Sequence, residues 1–291
     1  MINSLSKLIY KMEKDIIYKL IKYCNLELCI DVGAAKGTYT NIISSASSNK
    51  AKIFAYEPFY GNHKYFYKET CNLKNILLIK KALSNQPEKG NLFVQSKVRG
   101  EEKGWENFKG YSSLGMLSQK FNIDKLKYPF GEHLDVDCTT LDLDFNNKHI
   151  NFVKIDVQGS ELKVIQGSKN LLKNQLIDML YIEWSGEIEI LEYLDDNYII
   201  YDTTYLIIPE DYKKLNLNDL EVIEELNLST GKVAYEVLPK DKEILPINII
   251  KYLKNKNIAC IQTDLIAVSK NYHNKFLNII NNYNLNENKK G

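Results

Sequence analysis

An acidic residue ends an apolar, β-branched run at residues 152–156, and a glycine turn follows it. This pattern predicts a buried strand whose carboxyl end presents Asp156, which is where open α/β sheets bind their ligands. Residues 28–32 have the same character, with Asp31 near their end and a turn at Gly33. Two acidic strand ends in one α/β sequence predict a single site built between them.

The turn after the first of these strands, residues 31–37, reads DVGAAKG. A dinucleotide fingerprint needs G-x-G-x-x-G, but Ala35 stands where the second glycine would let a pyrophosphate approach. No Lys-Ser or Lys-Thr pair follows Gly37, as a P-loop would require. The turn therefore suits a nucleoside that carries an amino acid on sulfur, whose carboxylate can bind at the helix N-terminus.

Glu57 ends the next predicted strand, residues 52–56. A carboxylate at this position can accept hydrogen bonds from both hydroxyls of a ribose. Together with the glycine turn it favours a nucleotide-type site. The alternative interpretation is an ordinary strand–helix turn beside a solvated glutamate.

The elements that must position these residues alternate along the chain. Strands are predicted at residues 28–32, 52–56, 76–82, 91–95, 136–141, 151–156 and 178–184, and helices at 39–46, 62–70 and 160–173. Such alternation is typical of a parallel sheet covered by helices on both faces. Residues 97–134 lack a clear period and are predicted to form a loop that binds substrate.

The two ends of the chain carry further elements. Residues 1–24 are predicted to contain an amphipathic helix that either packs on the domain or binds a membrane surface or partner. The main domain is expected to span residues 25–270, with an elaboration of its C-terminal edge at 205–255 and a tail at 271–291. This edge is predicted to contain strands at 198–201, 204–208, 232–237 and 259–268 and a polar helix around 217–226.

Composition excludes several classes of protein. The chain has 291 residues, 44% of them hydrophobic, and a formal net charge of +1 without a basic block, so nucleic acid is not an expected partner. Five cysteines without C-x-x-C spacing and only four histidines disfavour a disulfide framework or a zinc site. No apolar run approaches the ~18 residues of a membrane span. We therefore expect a cytoplasmic protein, whose oligomeric state the sequence does not indicate.

These segments resemble the FkbM family of S-adenosylmethionine-dependent methyltransferases. The matching segments are IDVGAAKGTYT at 30–40, YEP at 56–58, KALS at 81–84 and FVKIDVQGSEL at 152–162, continuing to VIQGS at 164–168. The resemblance covers about residues 25–185, with an echo at 262–268. Gln158 departs from it, because the family more often has Glu there; any role for a carboxylate at this position is then lost.

The resemblance implies an α/β, Rossmann-like class I methyltransferase fold. Its mostly parallel, seven-stranded sheet would have helices on both faces and one antiparallel edge strand. S-adenosyl-L-methionine would be the cofactor, bound across the carboxyl ends of the strands. The cofactor-binding residues implied are Asp31, Gly33, Ala34, Gly37, Thr38, Glu57, Pro58, Ala82, Leu83 and Asp156. Family members typically methylate hydroxyl groups of sugars or natural products, so a small-molecule or glycan substrate is expected.

The hydroxyl of such an acceptor needs a proton acceptor, and Asp156 is the first candidate. It can act as a general base, as an orienting acceptor or, paired with Glu183 at the next strand end, as a ligand of Mg²⁺. His133 is a further candidate base, although a lone loop histidine is usually solvated. Lys154 either pairs with an acidic neighbour or reaches the site, and Glu161 offsets the dipole of its helix.

Substrate-binding residues are predicted within the loop at 97–134. Tyr111, Ser112 and Ser113 resemble the family's serine-containing element, and Trp105 can stack on a pyranose ring. The alternative is a loop packed back on the sheet.

An O-methyltransferase acting on a sugar, glycan or similar small hydroxylated acceptor is thus the leading hypothesis. An RNA or protein methyltransferase of the same fold and a non-catalytic methyltransferase-like binding module remain alternatives. Near-neutral charge disfavours RNA, and retention of Asp31, Gly33, Glu57 and Asp156 argues against lost activity.

Overall fold

The computed structural model describes residues 16–24, 26–95, 112–113, 131–184, 187–209, 220–227, 233–240 and 258–287. The chain folds into two compact units. The first, called here the N-terminal unit, spans Ile17–Leu180, and the second, the C-terminal unit, begins at Tyr181. The predicted boundaries at residues 24 and 270 were drawn from sequence patterns and remain predictions.

The N-terminal unit contains alternating helices and strands. Its helices are α1 (Ile16–Cys24), α2 (Thr38–Ala46), α3 (Tyr60–Thr70), α4 (Leu141–Phe145), α5 (Glu161–Gln166) and α6 (Lys169–Lys173). Its strands are β1 (Leu28–Val32), β2 (Lys52–Tyr56), β3 (Ile76–Ile79), β4 (Ala82–Leu83), β5 (Lys89–Gln95), β6 (Ser112–Ser113), β7 (Gly131–Thr139) and β8 (Ile150–Ile155). Strand β9 (Ile177–Trp184) begins in this unit and ends in the next.

A sheet forms the centre of this unit, with its strands in the order β9-β8-β1-β2-β3. The pairs β1–β2, β1–β8 and β2–β3 are all parallel. The strands are nearly continuous apolar runs, and β1 and β8 are almost wholly buried, as expected for strands covered on both faces. Because β2 lies on one side of β1 and β8 on the other, the carboxyl end of β1 is a switch point where such sheets bind ligands.

A single side chain fixes the amino ends of β1 and β8 against each other. The Asn151 Oδ1 atom accepts hydrogen bonds from the backbone amides of Glu27 and Leu28, at 2.9 and 3.0 Å. The Asn151 Nδ2 atom donates to Asp178 Oδ2 at 3.0 Å. The carboxamide therefore locks the register of three neighbouring strands.

A second sheet, β4-β7-β5-β6, lies in the same unit. Leu92 on β5 packs with Phe59, Leu134 and Val136. The loop predicted at 97–134 was therefore too long at its carboxyl end, since residues from Gly131 onward pair with β5. The remainder of that loop, apart from 112–113, lies outside the described residues.

Two predicted elements are divided in the structure. The strand predicted at 76–82 ends at Ile79, and Ala82 and Leu83 pair instead with β7. The helix predicted at 160–173 is interrupted at Gly167, where an added Cβ would lie 2.0 Å from the Ser84 carbonyl oxygen. Another segment therefore approaches closely at the point where the helix is interrupted, although the apolar spacing predicted a continuous helix.

The C-terminal unit is built around antiparallel strands. It contains β10 (Tyr198–Asp202), β11 (Tyr205–Pro209), β12 (Leu220–Asn227), β13 (Val233–Pro239), β14 (Ile258–Ser269), α7 (Ile188–Asp195) and α8 (His273–Glu287). Strand β14 pairs with both β10 and β11, and β13 pairs with β11 and β12. The described residues thus contain more than the seven expected strands, and more than one of them is antiparallel.

One sequence prediction for this unit was wrong. The polar helix predicted around 217–226 is strand β12, whose pairing with β13 has a bulge between Val222 and Glu224. The extra residue of a bulge resets the alternation of a strand and can produce apolar spacings of three, which resemble a helix. The segment predicted as a tail from residue 271 carries α8, in which Phe276 and Ile280 are buried.

The described part of the N-terminal amphipathic helix is packed. In α1, Ile17, Leu20 and Ile21 are at most 4% exposed. Residues 1–15, on which the alternative of membrane or partner binding depends, lie outside the described residues. Within the described ranges, every helix falls short of the length and apolarity that a bilayer span requires.

We predict that Asn151→Ala destabilises the protein by about 1–3 kcal/mol, because two amides and a buried carboxylate lose their partner. Urea unfolding followed by circular dichroism measures the change. The exposed Asn174→Ala substitution is the control and should leave the midpoint unchanged. Equal midpoints for both variants would contradict the assigned role of Asn151.

Candidate functional site

The carboxyl ends of β1, β2 and β8 are joined by backbone hydrogen bonds. The amides of Gly33 and Ala34 both donate to the Tyr56 carbonyl oxygen at 3.0 Å. The Asp156 amide donates to the Val32 carbonyl oxygen at 3.1 Å. The three predicted strand ends therefore meet at one edge of the sheet.

Gly33 is required by this close approach. Its φ is +78°, and a Cβ added there would lie 1.9 Å from the Asp156 carbonyl oxygen. Gly37, with φ +88°, precedes α2 and lies against Phe66 and Thr70 of α3. The first glycine thus lets β1 and β8 end side by side, and the second lets two helices pack.

Glu57 ties the loops after β1 and β2 together. Its Oε2 atom accepts a hydrogen bond from the Ala35 amide at 2.7 Å, and its Oε1 atom accepts one from the Phe59 amide at 2.8 Å. The side chain is buried, at 2% exposure. Burial raises the pKa of Glu57 to about 7, although the hydrogen bonds from Phe59 and Ala35 lower it. The sequence did not reveal this structural role.

A buried ion cluster lies next to this edge. The Lys154 Nζ atom is 3.2 Å from Asp156 Oδ2 and 3.6 Å from Asp31 Oδ1. It also donates to the Gly33 carbonyl oxygen at 3.4 Å and lies 4.8 Å from the centre of the Tyr39 ring. Burial by itself lowers the pKa of Lys154, but the two carboxylates outweigh it, so that the pKa lies above its ordinary value. Lys154 is therefore a fixed cation within the sheet.

The two carboxylates of this cluster differ in surroundings. Asp31 is fully buried, and its Oδ2 atom accepts a hydrogen bond from the Thr40 hydroxyl at 2.6 Å. Within the described residues, its Oδ1 atom has no hydrogen-bond donor. The Asp156 side chain is 27% exposed. Thr40 was missed in the sequence because a threonine within a helix carries no signal of its partner.

The turn after β8 is held by two side chains. The Gln158 Nε2 atom donates to Asp156 Oδ1 at 2.7 Å. The Glu161 carboxylate accepts hydrogen bonds from the amides of Val157 and Gly159, at 2.9–3.1 Å. Glu161 thus satisfies the donors of the turn, a more specific contact than the helix-dipole interaction expected from the sequence.

The other predicted cofactor residues lie on separate elements of the N-terminal unit. Thr38 begins α2, and Pro58 lies between Glu57 and Phe59. Ala82 and Leu83 are buried on β4. Their contact with a cofactor stays a prediction.

The remaining candidates are distributed over the chain. His133 is exposed on β7, where its Nδ1 atom lies 2.6 Å from Asn91 Oδ1. Glu183 belongs to the C-terminal unit and accepts a hydrogen bond from Gln262 at 2.7 Å. Ser112 and Ser113 form β6, paired with β5. Tyr111 and Trp105 lie outside the described residues, so the substrate-binding assignments stay predictions.

The described residues at Asp156 do not fit Mg²⁺. One carboxylate oxygen accepts a hydrogen bond from an amide, and the other faces the Lys154 ammonium. A hard divalent cation needs several oxygen ligands. No group of three His, Cys, Asp or Glu side chains suited to hold a metal occurs among the described residues.

Comparison with known proteins gives low sequence identity to solved structures. The precorrin-6y C5,15-methyltransferase of Geobacter metallireducens is 10% identical, with 87% of this chain and 88% of that chain covered and a TM-score of 0.37. A SAM-dependent methyltransferase of Agrobacterium tumefaciens is 6% identical, with 89% and 61% covered and a TM-score of 0.39. Aeropyrum pernix fibrillarin, with natively bound S-adenosyl-L-methionine, is 9% identical, with 74% and 68% covered and a TM-score of 0.31. No curated protein matches the sequence.

The strand order, the glycine turn and the acidic strand ends define a Rossmann-like, class I methyltransferase fold. The family model of the methyltransferase FkbM domain matches residues 31–200, more than half of the chain. The chain therefore belongs to the FkbM methyltransferase family and is an S-adenosylmethionine-dependent methyltransferase.

The hydrogen-bond acceptors at this edge of the sheet fit that cofactor. S-adenosylmethionine carries an ammonium group, a sulfonium and two ribose hydroxyls, which need acceptors and negative charge. The edge offers the buried Asp31 Oδ1 atom and the carboxylates of Glu57 and Asp156, and only Lys154 opposes their charge within the cluster described above. The N-terminus of α2 has no side-chain cap, so its amides can receive a carboxylate.

We predict that Lys154→Met destabilises the protein by about 3–5 kcal/mol at neutral pH, because it leaves carboxylates buried without their cation. The deficit should shrink as the pH falls from 7 towards 4, since protonation removes the uncompensated charge. Thermal unfolding across this pH range measures both effects. The exposed Lys148→Met substitution is the control, and a deficit independent of pH would contradict the assignment.

Proposed function

We propose that this methyltransferase acts on a hydroxyl group of a sugar, a glycan or a similar small hydroxylated acceptor. The observation that carries the proposal is the exposure of Asp156. Asp31 and Lys154 are at most 2% exposed, whereas the Asp156 side chain is 27% exposed. Asp156 is thus the carboxylate of the ion cluster that an incoming acceptor can reach.

The cofactor contacts proposed here follow from the acceptors on the sheet edge. Glu57 accepts hydrogen bonds from two backbone amides and from the Asn62 side chain, and the remaining acceptor capacity of its carboxylate would bind the ribose. Asp31 Oδ1 would accept the ammonium group. The helix N-terminus after Gly37 would receive the carboxylate of the same amino-acid moiety.

The chemistry assigned to this chain's own residues is proton acceptance and alignment. S-adenosylmethionine supplies an electrophilic methyl group when it is bound. The cofactor would transfer that methyl group to the acceptor oxygen as its carbon–sulfur bond breaks, and Asp156 would accept the hydroxyl proton. Holding the three atoms in line provides most of the acceleration, and proton acceptance in the transition state typically adds about 10²–10⁴-fold.

The second sheet lies next to Glu57 but exposes its polar side chains on its other face. Phe59, whose amide binds Glu57, packs against the apolar side of β5 and β7. The opposite side of these strands exposes Asn91, His133 and Asp135, whose groups both donate and accept hydrogen bonds. That side faces away from Phe59, so the acceptor class is supported instead by the formal net charge of +1, since RNA would be expected to require a basic surface.

Methyl transfer from radiolabelled cofactor to sugar nucleotides, glycan extracts and total RNA tests the acceptor class. We expect label in a carbohydrate fraction and no dependence on added Mg²⁺. Label confined to RNA or to protein would overturn the proposal of a small hydroxylated acceptor. It would support the alternative of an RNA or protein methyltransferase of the same fold.

We predict that Asp156→Asn lowers kcat by about 10²–10⁴-fold, because the isosteric amide cannot accept the hydroxyl proton. The Kd for S-adenosylmethionine should stay within about threefold, since the cofactor's remaining partners are kept. Steady-state kinetics and calorimetry measure the two values. The exposed Asp196→Asn substitution is the control; unchanged turnover in Asp156→Asn would show that the residue is not the proton acceptor.

We predict that cofactor binding weakens as the pH falls below about 7, by up to about tenfold per pH unit. The pKa of Glu57 is raised to about 7, and only its ionised form can keep its internal donors and also accept a hydrogen bond from the ribose. Binding near pH 6 should therefore release a proton, measurable by calorimetry in buffers of different ionisation enthalpy. Glu57→Gln should abolish this release, and the exposed Glu27→Gln should not. A pH-independent Kd would refute the ribose contact.

A further inference from the structure

We propose that Gln158 is a positioning residue that, together with Lys154, holds Asp156 as an oriented anion. The Gln158 amide donates to Asp156 Oδ1 at 2.7 Å, and the Lys154 ammonium lies 3.2 Å from Asp156 Oδ2. Each carboxylate oxygen therefore faces a donor, which fixes the orientation of the side chain toward the acceptor hydroxyl. The inference rests on the proposed function in one respect, namely that Asp156 receives the hydroxyl proton.

The backbone of Gln158 adopts a conformation that favours glycine. Its φ is +57°, in the left-handed region that residues other than glycine rarely adopt. Glycine would form the same turn without strain, as Gly159 does next to it with φ +99°. Strain of this kind assigns no function by itself, because Ala35 and Gln175 also have positive φ, and what distinguishes Gln158 is the contribution of its side chain. Here that contribution is an amide donor with the reach to contact Asp156.

The turn itself does not depend on the Gln158 side chain. Its amides at Val157 and Gly159 donate to the carboxylate of Glu161, which is buried. Removal of the Gln158 carboxamide therefore leaves the hydrogen bonds that shape the turn in place. The role of this side chain can be separated from the folding of the loop.

Because of the charges around Asp156, the side chain at position 158 affects whether Asp156 is ionised. Lys154 lies on β8, the strand that precedes Asp156, and Asp31 lies on the neighbouring strand β1. Glu161 binds the turn from α5, and the Tyr39 ring of α2 lies over the Lys154 ammonium. Three carboxylates thus accompany one cation. A glutamate at position 158 would have the same length but would add a fourth carboxylate and no donor. Like charge and the loss of a hydrogen bond both favour protonation of Asp156.

Two variants separate these effects. Gln158→Gly relieves the backbone strain, so its melting temperature should equal or exceed that of the wild type, yet kcat should fall about tenfold with the KM for S-adenosylmethionine unchanged. Gln158→Glu should lower kcat further and move the acidic limb of the kcat–pH profile to higher pH, because the carboxylate form is less favoured. Gln158→Asn keeps an amide but shortens it, and it should behave like the glycine variant.

Gln175 provides a matched control, because it is also a glutamine with positive φ, at +50°. Gln175 is distant in sequence from the carboxylate cluster. Gln175→Gly therefore relieves backbone strain elsewhere and should leave kcat and its pH profile unchanged. If Gln158→Gly keeps wild-type kcat while its stability rises as in Gln175→Gly, Gln158 is only a turn residue and the proposal is overturned.

A measurement without acceptor distinguishes this inference from the proposed function. In protein labelled with ¹³C at aspartate carboxyl groups, the resonance missing from Asp156→Asn identifies Asp156. Its titration midpoint should rise in Gln158→Gly and rise further in Gln158→Glu, whether or not any glycan is methylated. A midpoint that is unchanged in both variants would refute the positioning role, even if carbohydrate methylation is demonstrated.

Discussion

The site depends on the interaction of the buried Lys154 ammonium with the groups around it. It is surrounded by Asp31 from β1, Asp156 from the end of β8 and the carbonyl oxygen of Gly33. A lysine is rarely buried without partners, and carboxylates buried without a cation are equally unfavourable. Each group therefore makes the burial of the others tolerable, and together they hold the ends of two strands at a defined separation.

The edge formed in this way combines rigid and accessible groups. Glu57 and Glu161 are buried and use their oxygens to bind backbone amides of the neighbouring turns. Asp156 differs, because its side chain is partly exposed and contacts the side chains of Lys154 and Gln158. Methyl transfer depends mainly on alignment, so a rigid edge with one accessible carboxylate suits a reaction in which a hydroxyl must be held and lose its proton.

Much of the N-terminal unit could be predicted from sequence, because its parallel strands are continuous apolar runs that end at acidic or glycine residues. Both β1 and β2 have the predicted bounds. Prediction was weaker where long-range pairing decides structure. A bulge made β12 resemble a helix, and β7 begins earlier than its pattern indicated because pairing with β5 extends it.

By itself the sequence determined the strand ends that carry Asp31, Glu57 and Asp156, since these follow from local patterns of apolar, acidic and glycine residues, and its resemblance to the FkbM family indicated the fold class and the reaction class. Only the tertiary structure decided what those side chains contact. Lys154 and Gln158 are both two residues from Asp156, yet one reaches it across a buried cluster and the other from a left-handed turn. Such contacts depend on side-chain direction and backbone conformation, which residue spacing does not specify.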